Sequence, residues 1–373
     1  ILSKFTKSLF ILDRSKKENS MLIKSRYSNL EMFLWTRFAT LKFIGYAFVI
    51  GLFYEFLGYY FLRIPWAPLA VIGTAVAFIV GFRNNASYDR IWEARKIWGG
   101  IVNTSRTWGM KTRDMISNKH AKNVKTDLEL TKIRKRLVYR HIAWMTALRH
   151  AMRTQKKWED FGKDRSDRSW MHMLNIPEYK VSLEEELIGL IDEDERKYVL
   201  SKTNKATALL FQQSNDLHKL HEEGLIWEFS FLELENLLEE LFTLQGKSER
   251  IKNFPYPRQF ATLSSIFILI FIVLLPFAVL PEFHKIGTSL TTSFPIIGKY
   301  FVWIAVPFCA AISWVFYTME RIGKVGENPF EGSANDVPIS TIARGIEIDL
   351  REMLDENEAD IPKHYEQKLE VQM

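Results

Sequence analysis

The 373-residue chain is 47% hydrophobic and 14% aromatic, with a formal net charge of +6. Its one cysteine, Cys309, excludes an intrachain disulfide and a cysteine-based metal cluster. The basic residues are spread along the chain, which fits a basic water-side face next to a membrane and indicates no nucleic-acid partner.

Residues 1–36 hold seven Lys/Arg against three Asp/Glu. They read either as an arm packed on a neighbouring subunit or as a loosely ordered terminus. The apolar run at 8–12 is closed by Asp13 and is too short for a secretory signal. Residues 37–82 hold two transmembrane helices. The first covers 43–62, with Glu55 as its only charge and Tyr54, Tyr59 and Tyr60 crowding one end as in an aromatic belt. Glu55 is either a functional intramembrane group or a residue at the interface. Arg63–Pro65 leave room only for a tight turn. Residues 64–82 number 19 and carry no charge, close to the ~20 that span a bilayer core. This second helix starts at Pro65 and runs on into water, with no further Pro or Gly from Arg83 to Trp98. Gly73, Ala75, Ala77 and Gly81 suit it to packing against other helices. Thr74, Phe78 and Phe82, four residues apart, form one slowly drifting stripe.

Residues 83–257 are hydrophilic, with prolines only at Pro177, Pro255 and Pro257. Helical spacing of apolar residues recurs, as at Ile133, Leu137, Ile142 and Trp144, and at Leu232, Leu237, Leu238 and Leu241. The segment reads as a helical cytoplasmic domain. Within it, 155–180 reads as a long surface connection and 184–197 as a solvated acidic helix face. Residues 258–320 hold two more spans. The third covers 261–280 and is expected to kink or break near Pro276. A polar return follows over 281–299, and the fourth span covers 300–318. Residues 321–373 form a cytoplasmic tail whose stretch 339–356 is an amphipathic helix.

Four spans place both termini on one side. The return loops hold only Arg63, Lys285 and Lys299. The positive-inside bias therefore puts the termini and the large domain in the cytoplasm.

Catalytic chemistry is not readable: there is no nucleotide loop, no Ser-His-Asp set and no CxxC. His218-x-x-His221 with Glu222 shares a helix face, but two histidines without a third ligand read as a surface helix rather than a metal site. No cofactor and no metal are implied.

The stretch Gly81-Phe82-Arg83-Asn84-Asn85-Ala86-Ser87-Tyr88, with Arg90, Glu93-Ala94-Arg95, Trp98-Gly99 and Asn103-x-Ser105-Arg106, resembles the bestrophin family, in particular its bacterial branch. Gly246-x-x-Glu249-Arg250-Ile251 with Pro255-x-Pro257, Glu320-x-Ile322-Gly323 and Glu327-Asn328-Pro329-Phe330 extend the resemblance over nearly the whole chain. The resemblance implies a homopentameric ion channel with one axial pore lined by the second helix. It implies a hydrophobic neck just before Arg83, hence on Thr74, Phe78 and Phe82, where an apolar ring gates by expelling water. Relatives mostly carry three apolar residues there, so Thr74 would make the outer ring wetter. A second constriction near the cytoplasmic exit would fall on Glu228 and Phe229. Animal relatives bind calcium after the Asn-Pro-Phe stretch. Here 331–336 offers only Glu331 and Asp336, short of the 6–8 oxygens calcium takes.

Spacing alone leaves the Thr74–Phe82 stripe open between pore lining and ordinary helix packing. Asp89 lies seven residues past Phe82, about 20° off the same stripe. Rings of Asp89 and Glu228 would favour cations slightly over chloride. Arg83, Arg90 or Arg95 facing the pore would reverse that sign. Their expected fates are lipid headgroups and ion pairs with Asp89 or Glu93. The sequence thus reads as an all-α, four-span channel of a bacterial inner membrane. Its expected partners are further copies of itself, membrane lipid and permeant monovalent ions, and it is not an enzyme. The alternative is a membrane-anchored scaffold or sensor.

Overall fold

The computed structural model describes residues 29–55, 63–159, 176–333 and 335–365, and these are almost entirely helical. The expected N-terminal arm lies largely outside the described residues. The principal helices are α1 (Asn29–Glu55), α2 (Trp66–Met115), α3 (Asp127–Arg153), α4 (Leu183–Glu186), α5 (Glu193–Leu200), α6 (Lys205–Glu222), α7 (Glu228–Asn253), α8 (Arg258–Leu290), α9 (Pro295–Tyr300), α10 (Ala305–Gly326) and α11 (Ile339–Glu352). Four stretches are long and apolar enough to cross a membrane: Trp35–Glu55, Trp66–Met115, Arg258–Leu290 and Pro295–Gly326.

Every span is longer than its apolar window. α1 begins 14 residues before the expected start at 43, because packing, not hydropathy, sets its beginning. Thr36 is buried and accepts a hydrogen bond from Trp314 Nε1 of α10 at 2.8 Å. α8 shows no break at Pro276. It runs through Pro276 and Pro281 to Leu290, so much of the expected polar return is helix. A proline removes one N–H and frees the carbonyl four residues back. Pro281 frees Phe277 O, and Ile64 N–H takes it at 3.1 Å. This neighbouring donor removes the cost of the proline inside an apolar layer. The fourth span enters through α9 and one 3-10 turn, Phe301–Ile304, and continues eight residues beyond the expected end at 318. Pro307 sits in the first turn of α10, where its missing N–H has no intrahelical partner to lose.

α2 is one unbroken helix of 50 residues, about 75 Å long. Its first half packs on α8 and α10, its second on α7, α11 and α3. Gly100 lets α7 approach: a Cβ there would stand 2.9 Å from Leu244. The polar half has its own core around Trp98, Trp108 and Trp144, all essentially inaccessible. Trp144 Nε1 donates to Gln245 at 2.9 Å. His141 stacks on Trp108 and its Nε2 meets Ser105 Oγ at 2.9 Å.

Two expectations for this half give way for one reason. The connection 155–180 is only partly a surface one where it is described: Gln155, Lys157, Tyr179 and Lys180 are exposed, whereas Glu159, Ile176 and Pro177 are buried and the Glu178 carboxylate is 1% exposed. The acidic run 184–197 is not one solvated helix. It splits between α4 and α5, and Glu186 and Glu195 turn inward. α3 buries Arg140, Arg149 and Arg153. A buried guanidinium needs a counter-charge. Glu195 and Asp216 serve Arg140, Glu178 and Glu186 serve Arg149, and Asp336 serves Arg153. Glu159 likewise holds the buried Lys252. α11 buries Ile339, Ala343, Ile346 and Leu350, the expected amphipathic face.

Burial holds the His141 imidazole neutral, with its pKa depressed to about 3. The unfolded chain takes up that proton near 6.5. His141 therefore contributes stability above about pH 6.5 that is lost as pH falls towards 3, at up to about 1.4 kcal/mol per pH unit. His141→Gln should flatten the acid side of the stability curve. Denaturation midpoints of parent and variant between pH 7 and pH 5 check this, and parallel curves would refute it.

Candidate ion pore

α2 has two faces. Leu69, Gly73, Val76, Val80, Arg83 and Ser87 are buried in the helix bundle. Opposite them, Val71, Thr74, Phe78, Phe82, Asn85, Asp89, Trp92 and Lys96 are exposed at steps of three or four residues. Phe78 is 64% and Phe82 72% accessible, large for phenylalanine. From Asn85 the stripe takes on polar residues, with Trp92 among them, without leaving its face. Thr74 donates its hydroxyl to Ala70 O at 3.0 Å. Only its lone pairs remain for water, which tempers the expected wet ring.

The other proposed constriction is also exposed. Phe229 is 63% accessible and meets Trp227 edge-on, with ring centroids 4.7 Å apart. Glu228 pairs with His221 at 3.2 Å. α7 runs antiparallel to α2, as Arg250–Glu93 and Lys111–Glu233, each at 2.5 Å, fix its register. That register sets Phe229 beside the far end of α2 near Met115, 33 residues from Phe82 and about 50 Å along the helix.

The residues of the long α2 pattern divide between the faces. Asn85, Asp89 and Arg95 point outward, while Trp98 is buried with its ring 6.2 Å from that of Phe330. Two arginines do not meet the partners expected for them. Arg83 is 4% exposed and binds Glu327 Oε1 through Nε at 2.6 Å and Nη2 at 2.5 Å, with Glu320 at 3.7 Å. Arg90 donates to the carbonyls of Glu327 (2.8 Å), Phe254 (2.8 Å) and Ile251 (3.1 Å). Neither takes Asp89 or Glu93 as its hydrogen-bond partner. Sequence spacing favoured near neighbours, whereas the real partners come from the ends of α7 and α10. Glu320 and Glu327 were visible in the signatures after the fourth span, but nothing local linked them to Arg83. Asn84 Nδ2 donates to Met319 O at 3.1 Å. Gly323 makes room for that approach, since a Cβ there would collide with the Asn84 amide oxygen.

The 330–336 turn is closed from within. Asp336 accepts the N–H groups of Phe330 (2.8 Å), Gly332 (2.7 Å) and Val337 (2.7 Å), and Arg153 Nη1 lies at 3.4 Å. Phe330 and Gly332 adopt left-handed backbone, φ 76° and 90°. Burial, with Glu159 and Asp336 nearby, pushes the Glu331 carboxyl up to about 8. Asp336 is thus saturated by donors, and Glu331 resists ionisation. A hard cation would find little here. His218 pairs with Glu222 at 3.5 Å on an exposed face. Among the described residues no three His, Cys, Asp or Glu side chains converge as a metal site.

The chain's relatives carry channel names. It is 26% identical over 302 residues to the voltage-dependent anion channel-forming protein YneE of Salmonella typhi, covering 81% of this chain and 80% of that one. It is 26% identical over 295 residues to the voltage-dependent anion channel-forming protein RSc3414 of Ralstonia nicotianae, covering 79% of each. The fold matches the crystal structure of a bacterial bestrophin homologue from Klebsiella pneumoniae with a TM-score of 0.64, at 23% identity, over 86% of this chain and 99% of that one. Residues 35–352 match the family described as bacterial/fungal bestrophin protein. The chain is a membrane protein of the bestrophin family, an ion channel and not an enzyme.

Proposed function

We propose that five copies of this chain surround one axial pore, lined by the exposed face of α2, that passes small monovalent ions passively across a bacterial inner membrane. The observation that carries this reading is the unpartnered stripe from Val71 to Lys96, buried on its opposite side along its whole length. Thr74, Phe78 and Phe82 form the neck. Ions entering so apolar a ring lose hydration without compensation. Glu228 and Phe229 form the aperture at the far end of α2. The basic N-terminal arm and the polar domain face the cytoplasm. Particles of the purified protein should show five-fold symmetry, and a monomer or another symmetry would overturn the assembly.

Phe78→Ala with Phe82→Ala should wet the neck and raise unitary current about tenfold, the effect of lowering a barrier by about 1.4 kcal/mol. Unchanged conductance in planar bilayers would sink the neck assignment. Phe229→Ala should admit larger permeant ions while leaving neck gating intact. An unchanged permeability series across ions of increasing radius would remove Phe229 from the aperture.

Rings of Asp89 and Glu228 give a slight preference for cations. The opposite sign has its own support: relatives are named as anion channel-forming proteins, and Arg95 and Lys96 stand exposed within two turns of Asp89. Reversal potentials in unequal NaCl decide between them. The cation reading expects a potential on the sodium side of zero that moves towards the chloride equilibrium value in Asp89→Asn. A parent already near the chloride value would establish the anion reading.

A further inference from the structure

We propose that Glu327 is the positioning residue of the pore: it fixes the rotation of α2 at the neck and keeps the Arg83 charge out of the ion path. This rests on the neck reading above.

Arg83 directly follows Phe82 and lies about 100° round the helix from it. Phe82 is 72% accessible and Arg83 4%, so a turn of α2 by about 100° would exchange an aromatic ring for a cation at one level of the conduit. Among the contacts that resist that turn, Glu327 supplies two, one from its side chain and one from its backbone. The Glu327 carboxylate, 3% exposed, binds Arg83. The Glu327 carbonyl binds Arg90 two turns further along α2. Arg90 also holds Phe254 O and Ile251 O, so the end of α7 joins the same grip. Three elements therefore meet within about two turns of the neck.

The grip continues outward. Three residues past Glu327, Phe330 packs against Trp98 of α2 and its carbonyl accepts from Arg153 Nη1 at 3.1 Å. Tyr179 donates its hydroxyl to Glu331 O at 3.1 Å. The polar domain thus holds the segment that holds α2.

Arg83 cannot shed its charge, since a guanidinium stays protonated in proteins. Without the carboxylate it would remain as a buried and incompletely paired cation, with Glu320 only at 3.7 Å. Within a turn of Arg83, Phe82 and Asn85 stand exposed on the stripe across the helix. Loss of the Glu327 charge therefore drives Arg83 towards the conduit, just beyond the neck, where a ring of positive charge favours anions.

Bilayer recordings on the full-length protein would compare the parent with E327Q, E327D and R83Q/E327Q. E327Q keeps the shape and loses the charge, and should raise chloride permeability relative to sodium about fivefold or more. R83Q/E327Q leaves no stray charge and should return to within about twofold of the parent. E327D keeps the charge and should hold the parental ratio. An E327Q ratio equal to the parent's, or a double variant that keeps the E327Q ratio, would overturn the proposal. Where E327Q does not assemble, E327D carries the test: its shorter arm should change unitary current at an unchanged ratio, and a parental current would overturn the clamp. The neck variants recorded alongside separate the two readings. Inert neck variants with an active E327Q count against the neck, and the reverse pattern counts against the clamp.

Discussion

An α-helix that passes from hydrocarbon into water without a break must reconcile two solvents along one backbone. α2 does this at Arg83. The guanidinium at the end of the 19 uncharged residues is buried against Glu327, so the first charge on the helix is compensated before it meets either solvent. Much of the surrounding architecture follows from that pairing. α10 must run past the expected end of its apolar window to deliver Glu327, and α7 must end where Arg90 can reach its carbonyls. A buried ion pair is a weak source of net stability, because desolvation offsets its attraction. Its value here is geometric, since it admits one rotation of α2.

The same constraint recurs in the polar domain. α3 buries three arginines, and each recruits acids from short segments that hydropathy alone would leave on the surface. These acids draw α4, α5, the 177–179 turn and the 330–336 turn onto α3. The domain is therefore tied by charge as well as by its tryptophan core, and its ties end on the segment that grips α2. The polar domain and α2 thus have a physical route for coupling.

The exposed face of α2 is informative because the other face is so fully used. A single helix of this length has neighbours on one side throughout. The free side takes on polar residues from Asn85, just past the end of the apolar window.

The sequence by itself determined the class, the four spans, the continuity of α2 into water and the amphipathic tail helix. Each depends on local periodicity and length, which a single segment carries. It also placed Phe78, Phe82 and Asp89 on one stripe, because helical spacing is fixed wherever the helix is unbroken. Only the tertiary structure decided the partners. Glu327 lies 244 residues from Arg83, and no local pattern joins them. Likewise, α8 runs on as one helix through Pro276, where a kink or a break was expected, and at Pro281 the freed Phe277 carbonyl finds Ile64 on another segment. The inward turn of Glu186 and Glu195 was equally invisible, because a charge run reads as solvated until a buried arginine across the fold requires it. Contacts between distant segments settle where charges go, and in this protein they decide which charges α2 buries and which it leaves exposed.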